Sequence, residues 1–496
     1  METVNNPIAK KKRPVKIVQF GEGNFLRGFV DYMVDVANEK GVFDGSVAIV
    51  KPIEFGKLDT FHEQDCVYTL ILRGGTEKSP SVEKRIITSI DRAVDAYGEY
   101  EKFMELARLE SLRFVVSNTT EAGIRYDETD SFSLNPPKSY PGKLTKFLYE
   151  RYKAFDGDET RGLILFPVEL IEANGKNLRE CVLRLARKWG LEEEFIGWVE
   201  RCCVFCSTLV DRIVTGYPRD EAEKLQRELG YSDRLLDTAE PFALWVIESD
   251  KPELVEKEFP LDKAGLPVVY TKDQTPYRER KVRILNGAHT STVPGAYLAG
   301  FETVGECMKD PDMHGFMKKA VFGEIVPTVH LPREEVVQFA NSVFERFGNP
   351  FIRHSLLAIT LNSVSKWKAR VLPSLKDSLA KTGKLPSCLT FSFAALLKFY
   401  SSDRMENGAL IGERNGVPYR ILDDESVLTF FRDNSGLPDG ELVRKTAART
   451  DFWGEDLTLI PGFCGLASED LALIGQKGMR EAMRAVSAEG EGRPKA

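Results

Sequence analysis

Histidine is scarce in this chain, and long apolar runs and an excess of positive charge are absent. Only 5 of 496 residues are histidine. No stretch approaches the roughly 18 consecutive apolar residues that a membrane-spanning helix needs. Lys and Arg number 68 against 75 Asp and Glu, which makes the formal net charge −7. Because nucleic-acid-binding proteins usually carry excess positive charge, we expect neither nucleic acid nor a membrane as a partner.

Cysteine is too sparse for a disulfide framework. Eight cysteines in a chain of this length are typical of a reducing compartment. Cys202, Cys203 and Cys206 lie in the apolar run CCVFC, which favours buried thiols over a zinc site. The segment METVNNPIAKKKRPVK lacks the apolar core of a secretory signal. These features predict a cytoplasmic protein.

The chain is too long for one typical domain. Strand-like apolar runs occupy the first half, ending with PFALWVIESD from Pro241 as the last expected strand, and helical periodicity follows Tyr277. We predict an α/β, Rossmann-like dinucleotide-binding domain over residues 1–277 and a mostly α-helical C-terminal domain over residues 278–496. Helical patterns in the second half cover residues 333–347, 351–362, 389–400, 425–432 and 469–486.

A dinucleotide-binding turn is predicted near the start, in VKIVQFGEGNFLRG. A strand over residues 15–20 leads into Gly21 and Gly23, and an amphipathic helix follows. The first glycine permits a tight turn, and the second lets backbone N–H groups approach a pyrophosphate. The third glycine of the usual pattern is missing, because Leu26 stands in its place.

The residues that would select the cofactor leave two alternatives open. A second strand, over residues 47–50, should end beside the adenosine ribose, where NAD-binding chains usually carry an acidic residue. Here Lys51 and Pro52 follow the strand, so NAD is expected but NADP is not excluded. A later strand ends in SNTTEAG, where Asn118 and Thr119 are expected near the nicotinamide.

The run KVRILNGAHTS places Lys281, Asn286 and His289 within nine positions. On an α-helix, His289 would lie about 80° from Lys281, and Asn286 about 140° from it. One broad face could present all three to a substrate, although ordinary surface residues would follow the same spacing. Gly287 costs about 1 kcal/mol inside a helix. Its presence indicates either a helix start or a close approach by another segment.

Basic residues recur in LNSVSKWKARVLPSL, where Lys366, Lys368 and Arg370 fall within five positions. A solvated basic face is one interpretation. The other is that these cations bind a carboxylate, as arginine does well. Arg353 and His354 are secondary candidates.

Several runs, in this order, resemble the polyol-specific long-chain dehydrogenases, the mannitol dehydrogenase family, over about residues 16–483. These runs are GEGNFLRG, HEQDCVYTLIL, SNTTEAG, ELIEANG, STLVDRIV and KVRILNGAH. The resemblance implies a zinc-independent oxidoreductase in which Lys281 is the general acid and base, Asn286 holds the reacting oxygen and His289 orients the substrate. It implies cofactor contacts at Gly21, Gly23, Asn24, Phe25, Arg27, Asn118, Thr119 and Glu121.

The chain departs from the mannitol-specific members in ELIEANG. Those members carry a second oxyanion asparagine where Glu169 or Leu170 stands here, although Asn174 is kept. The altered run resembles the uronate reductases of the family, which implies a small keto sugar acid as substrate, with mannitol or its phosphate as alternatives. Candidate substrate-binding residues are Glu169, Asp211, Lys366, Lys368 and Arg370.

Three questions stay open at this point. Asp211 could bind a substrate hydroxyl or form a structural pair with Arg212. A non-catalytic NAD-binding module and a zinc alcohol dehydrogenase are the alternatives to a lysine-dependent reductase. The oligomeric state is unknown, and a monomer is possible.

Overall fold

The computed structural model describes residues 2–5, 10–76, 79–119 and 123–488. The chain divides into two compact units. The first comprises residues 1–74 and 81–274, and the second comprises residues 75–80 and 275–496.

The N-terminal unit contains strands and helices in alternation. Its strands are β1 (Val15–Phe20), β2 (Ser46–Lys51), β3 (Tyr68–Thr76), β4 (Ser79–Ile87), β5 (Ile90–Asp95), β6 (Phe114–Ser117), β7 (Ile164–Pro167), β8 (Val204–Phe205), β9 (Ser207–Asp211), β10 (Asp237–Ala239), β11 (Leu244–Glu248) and β12 (Val268–Thr271). Its α-helices are α1 (Asn24–Leu26), α2 (Tyr32–Glu39), α3 (Asp59–Glu63), α4 (Tyr100–Glu105), α5 (Tyr140–Ala154), α6 (Asn174–Lys188), α7 (Glu193–Cys202), α8 (Ala222–Leu229) and α9 (Pro252–Glu258). A π-helical turn, Arg27–Asp31, joins α1 to α2, and 3₁₀ turns cover Leu106–Arg108, Glu159–Arg161 and Leu261–Ala264.

A six-stranded sheet in the order β5-β2-β1-β6-β7-β8 forms the centre of this unit. All of its strand pairs are parallel. This is the strand order of a classical dinucleotide-binding sheet, with the change of winding direction between β1 and β6. The four central strands, β2, β1, β6 and β7, are mostly buried apolar residues, as expected for a parallel sheet with both faces covered. The predicted Rossmann-like fold is confirmed.

Two smaller sheets complete the unit, in the orders β10-β3-β4 and β12-β11-β9. The run expected to be the last strand forms β11, but β12 follows it and pairs with it in parallel. That expectation was therefore wrong by one strand. The cysteine-rich run is only partly a strand, since Cys202 ends α7 and β8 spans two residues.

The C-terminal unit is mostly helical, as predicted. Its α-helices are α10 (Thr275–Arg280), α11 (Gly287–Leu298), α12 (Val304–Lys309), α13 (Pro311–Lys318), α14 (Arg333–Phe347), α15 (Leu356–Ile359), α16 (Ser363–Arg370), α17 (Leu372–Thr382), α18 (Ser387–Phe399), α19 (Glu425–Asp433), α20 (Asp439–Ala447), α21 (Thr450–Trp453), α22 (Phe463–Lys477) and α23 (Met479–Ala488). Its π-helical turns are Lys281–Asn286 and Lys319–Ile325, and its 3₁₀ turns are Val326–Thr328 and Leu457–Leu459.

Three details of this unit differ from the sequence expectation. A three-stranded antiparallel sheet interrupts the helices, formed by β13 (Met405–Glu406), β14 (Ala409–Arg414) and β15 (Val417–Ile421). The helix expected over residues 351–362 shrinks to α15 alone. The helix expected over residues 469–486 is broken at Gly478, whose φ of +79° ends α22. None of the described helices is both long and apolar enough to cross a membrane.

Arg151 shows how the N-terminal unit satisfies buried backbone groups near its helices. Its side chain is only 1% exposed. The guanidinium donates hydrogen bonds to the carbonyl oxygens of Ala107, Leu109, Leu112 and Arg161 at 2.7–3.0 Å. Burial, with the nearby charge of Arg161, lowers the pKa of Arg151 to about 10, so the group stays charged at neutral pH.

Arg151→Met should lower the stability of the N-terminal unit by about 3–5 kcal/mol, because four buried carbonyls lose their donor. Arg187→Met is the matched control, since Arg187 is 55% exposed and pairs with Glu200 at 3.5 Å, and an exposed ion pair is worth little. Thermal melting followed by circular dichroism would compare the two. Equal melting temperatures would contradict this account of Arg151.

Candidate active site

The turn after β1 and the helical segment that follows it contain three glycines with distinct roles. Gly21 has a φ of +123°, and a Cβ there would lie 3.0 Å from the carbonyl oxygen of Asn118. Gly23 faces open space, with no atom within 4 Å of a Cβ position. A Cβ on Gly28 would lie 2.9 Å from Val214. Gly28 therefore permits the close helix packing that the missing third glycine usually provides, two positions later than the usual pattern.

These features fit a dinucleotide. The turn lies at the carboxyl edge of the sheet, between β1 and β6, where ligands bind in folds of this type. The helical segment that starts after Gly23 runs without interruption to Glu39. Its first backbone N–H groups lack intrahelical partners and suit a pyrophosphate.

Glu121, an expected cofactor contact, lies outside the described residues.

Arg27 supports this turn from inside the unit. It is 5% exposed, and its guanidinium donates to the carbonyl of Leu235 and, at 2.5 Å, to the side-chain oxygen of Asn24. Phe25 stacks on Phe29 with ring centroids 5.1 Å apart. Asn24 thus lies at the turn, and the Arg27 guanidinium holds the Asn24 side chain there.

Glu169 is buried, with 2% of its surface exposed. Its carboxylate accepts hydrogen bonds from the backbone N–H and the hydroxyl of Thr119, at 3.0 and 2.9 Å, and from the hydroxyl of Ser117 at 3.1 Å. Burial raises the pKa of Glu169, while these hydrogen bonds oppose the shift. Glu169 therefore orders the segment that follows β6, where Asn118 and Thr119 lie.

Asn174 and Asp211 are both buried. Asn174 donates to the carbonyl of Glu169 at 3.0 Å and accepts from the backbone N–H of Thr208 at 2.8 Å. Asp211 is buried at the end of β9. The neighbouring Arg212 donates to the carbonyl oxygens of Gly28, Glu240 and Pro241.

In the C-terminal unit, the helix that carries Lys281 contains a π-helical turn. This turn, Lys281–Asn286, lies between α10 and α11. Residues five apart lie about 140° from each other on an α-helix. In a π-helix, with about 4.4 residues per turn, the same residues are separated by only about 50°. The observed turn therefore brings Lys281 and Asn286 onto one side, more closely than α-helical spacing predicts.

Gly287 lies inside this helix and packs against other segments of the chain. The helical backbone continues through Asn286 and Gly287, so the glycine does not mark a helix start. A Cβ on Gly287 would lie 3.1 Å from the carbonyl oxygen of Arg370 and 3.4 Å from Ile325. Close approach is thus the correct explanation for this glycine.

His289 lies in the core of the same unit and is 8% exposed. Its ring stacks on Phe347 with centroids 4.3 Å apart, and its Nε2 atom has no hydrogen-bond partner among the described residues. Burial, with contributions from the nearby His354, Arg370, Arg346 and Lys366, lowers its pKa to about 3. His289 is therefore neutral near pH 7.

Three of these groups are cations near neutral pH, Arg346, Lys366 and Arg370, and we call them the cation cluster near His289. His354, whose ring centroid lies 6.0 Å from that of His289, is not one of them, because burial and Arg346 lower its own pKa. Lys366 and Arg370 lie one turn apart on α16, and the Lys366 ammonium donates to the carbonyl of Ile359 at 2.9 Å. Lys368 lies elsewhere, with its ammonium 3.1 Å from a Cβ position on Gly454.

Arg346 was missed as a candidate site residue in the sequence, although its place in the helical pattern of α14 could have indicated it. In α14 it lies on the buried stripe formed with Phe339 and Val343. A cation on the apolar face of a helix is uncommon and points to a partner or a ligand. Arg353, a secondary candidate, is exposed.

Arg283 and the cysteines have other roles than the glycine turn after β1 or the group around Lys281 and His289. Arg283 pairs with Asp377 and donates to the carbonyl of Thr328 at 3.2 Å. All eight cysteines are free, and burial raises the pKa of Cys203 and Cys206 to about 12. Within the part of the chain that the structure describes, no three His, Cys, Asp or Glu side chains are grouped as a metal site requires.

The chain belongs to the mannitol dehydrogenase family. The mannitol dehydrogenase Rossmann domain matches residues 15–263, and the mannitol dehydrogenase C-terminal domain matches residues 273–472. The resemblance drawn from the sequence motifs is therefore confirmed.

Its relatives include the altronate oxidoreductases of Escherichia coli O7:K1 and Escherichia coli O1:K1. Both are 47% identical to this chain, over 478 and 479 residues, with 95% of this chain and 96% of each relative covered.

Two solved structures share the fold. Pseudomonas fluorescens mannitol 2-dehydrogenase, in a ternary complex with NAD and D-mannitol, is 21% identical with a TM-score of 0.64, over 96% of this chain and 95% of that one. A D-sorbitol dehydrogenase in substrate-free form is 22% identical with a TM-score of 0.75, over 97% and 100%. At these identities the likeness is evidence of the fold alone.

Gly287→Ala should lower dehydrogenase turnover by about tenfold or more, because the new methyl displaces α16 from the helix that carries Lys281. Gly315→Ala is the matched control, since no atom lies within 4 Å of its Cβ position in α13, and alanine should stabilise that helix slightly. Initial rates and melting temperatures of both variants would be measured. Unchanged turnover in Gly287→Ala would show that the contact has no role in the site.

Proposed function

We propose that this chain is an NAD-dependent reductase of a keto sugar acid, interconverting tagaturonate and altronate. The 47% identity to altronate oxidoreductases over nearly the full length of both chains supports this substrate. The structural observation that carries the proposal is the cation cluster near the buried, neutral His289. Such a cluster suits a substrate that brings its own negative charge.

Lys281 and Asn286 would act at the oxygen of the substrate. When bound, reduced NAD supplies the hydride that reaches the carbonyl carbon. Lys281 donates a proton to the oxygen as the alkoxide forms, and removes it in the oxidative direction. Asn286, on the same side of the π-helical turn, donates a hydrogen bond to that oxygen without changing its own protonation.

His289 cannot serve as the acid near neutral pH, because its pKa of about 3 keeps the ring unprotonated. A neutral imidazole can still accept or donate one hydrogen bond through Nε2. The stack on Phe347 fixes the plane of the ring. We therefore assign His289 to orienting a substrate hydroxyl beside Lys281.

Arg370 and Lys366 would bind the carboxylate. In a six-carbon acid of this type the carboxylate lies near the opposite end of the chain from the keto carbon, so it needs a site separate from Lys281. Burial lowers the pKa of both Lys366 and Arg370. An anion between them would offset that cost. Arginine can also bind a carboxylate through two parallel hydrogen bonds.

The nucleotide site and the cellular setting complete the proposal. Gly21, Gly23 and Asn24 would contact the pyrophosphate, and Asn118 and Thr119, held by Glu169, would lie beside the nicotinamide. We expect a cytoplasmic enzyme, in keeping with its free cysteines. A monomer is compatible with this assignment.

Lys281→Ala should lower kcat about 10²–10⁴-fold, the usual contribution of a general acid or base, and leave NADH binding unchanged. Lys318→Ala, an exposed lysine at the end of α13, is the control. NADH oxidation would be followed with tagaturonate, fructuronate and fructose in parallel. A faster reaction with fructuronate or fructose, or full activity without Lys281, would refute the proposal.

Arg370→Met should raise KM for the keto acid about tenfold or more, with a smaller change in kcat, because one bidentate contact to the carboxylate is lost. Lys368→Met removes a charge from the same helix, but beside Gly454, and should leave KM unchanged. Steady-state kinetics of the two variants test the assignment. Equal effects would favour a general charge effect over a carboxylate site.

A further inference from the structure

Lys51 occupies the position at the end of β2 where an acidic residue usually meets the adenosine ribose. Its side chain is 1% exposed. The ammonium lies 3.1 Å from a carboxylate oxygen of Asp95 and donates to the carbonyl oxygens of Ile53, Glu54 and Phe55 at 2.9, 3.3 and 3.3 Å. Four acceptors surround a group that has three N–H donors. Lys51 therefore has no donor left for a ligand.

Asp95 supplies a carboxylate at the same edge, from the neighbouring strand. Lys51 and Asp95 are register partners in the parallel pair of β2 and β5. Asp95 is 29% exposed, and its other oxygen accepts from the backbone N–H of Tyr97 at 3.0 Å. Partial burial acts to raise its pKa, but the Tyr97 hydrogen bond and Lys51 lower it below the usual value. This carboxylate is therefore ionised and partly open to solvent.

A second carboxylate, Glu22, lies between the two glycines of the turn and interacts electrostatically with both Lys51 and Asp95. Burial raises the pKa of Glu22, with Lys51 opposing and Asp95 adding to that shift. The ammonium of Lys51 is thus paired with the ionised carboxylate of Asp95, and Glu22 is a second acidic group at this edge.

A cavity of about 560 Å³ opens beside the residues that follow Lys51, although Lys51, Asp95 and Glu22 do not themselves line it. Its lining includes Ile53, which follows β2, and residues that follow β6. This is the side of the sheet on which an adenosine binds in folds of this type. Two cations, Arg125 and Lys138, and two carboxylates, Asp127 and Glu128, also line the cavity, so its lining adds no net positive charge.

We propose that Asp95, held in place by Lys51, binds the adenosine ribose hydroxyls and makes the chain select NAD over NADP. A ribose offers hydroxyl donors to a carboxylate, whereas the 2′-phosphate of NADP would approach Asp95 and Glu22 with like charge. Lys51 is a positioning residue here, because it acts through Asp95 and the loop of residues 53–55. The inference rests on dinucleotide binding at this edge and is independent of the keto acid proposed as substrate.

The test measures binding of NADH and NADPH to the full chain by fluorescence titration, without any substrate. The wild-type chain should bind NADH about 100-fold more tightly than NADPH. Asp95→Asn should reduce the preference for NADH, measured as the Kd of NADPH divided by the Kd of NADH, about tenfold or more. Part of this change should be tighter binding of NADPH. Asp44→Asn is the matched control, since Asp44 pairs with Arg13 at 3.5 Å, is 70% exposed and precedes the other end of β2.

The Lys51→Met variant distinguishes two roles for Lys51, which either positions Asp95 and the loop of residues 53–55 or binds the 2′-phosphate of NADP. If Lys51 only positions the loop and Asp95, the variant weakens NADH binding several-fold and gains no affinity for NADPH. A selective loss of NADPH binding would instead make Lys51 a phosphate ligand and overturn the proposal. An unchanged ratio in Asp95→Asn, or equal wild-type affinities for the two cofactors, would also overturn it. Asp95→Asn keeps the side-chain shape, so the test stands even if Lys51→Met fails to fold.

Discussion

The contact between Gly287 and the carbonyl oxygen of Arg370 is the constraint on which the candidate catalytic site depends. A Cβ at this glycine would lie 3.1 Å from that oxygen, so the helix that carries Lys281 and the helix that carries Arg370 are held at a separation only glycine allows. The neighbouring π-helical turn brings Lys281 and Asn286 to one side. Two irregularities of one helix thus fix the positions of Lys281, Asn286 and Arg370, the residues that we propose for the reacting oxygen and for the carboxylate.

Two buried charged side chains of the N-terminal unit hold backbone in place. Glu169 orders the segment after β6 through Ser117 and Thr119. Lys51 holds the loop after β2 in the same way. A buried ion is costly unless several hydrogen bonds satisfy it, and these backbone groups provide them. Around His289, by contrast, cations gather near a neutral ring, which is the arrangement expected where an anionic ligand supplies the missing charge.

Much of the fold followed from the sequence, because strand and helix periodicity are local signals. The bounds of β1 and α14 agree with those expected, and the glycine turn was recognised in its strand-to-helix setting. The π-helical turns were missed because a pattern search assumes 3.6 residues per turn. The role of Gly28 was missed because its partner, Val214, is distant in sequence. The environment of Lys51 was equally hidden, since the sequence gives a residue's charge but not its hydrogen-bond partners. Lys366 and Lys368 look equivalent in sequence, and only helix geometry separates them.

A crystal structure with NADH and altronate would test the central claim most directly. The account predicts the Lys281 ammonium within about 2.6–3.2 Å of the hydroxyl oxygen that is oxidised. It also predicts that Asn286 donates to the same oxygen and that Arg370 lies at the carboxylate. A regular α-helical turn over residues 281–286, with Asn286 facing away from the substrate, would contradict the account.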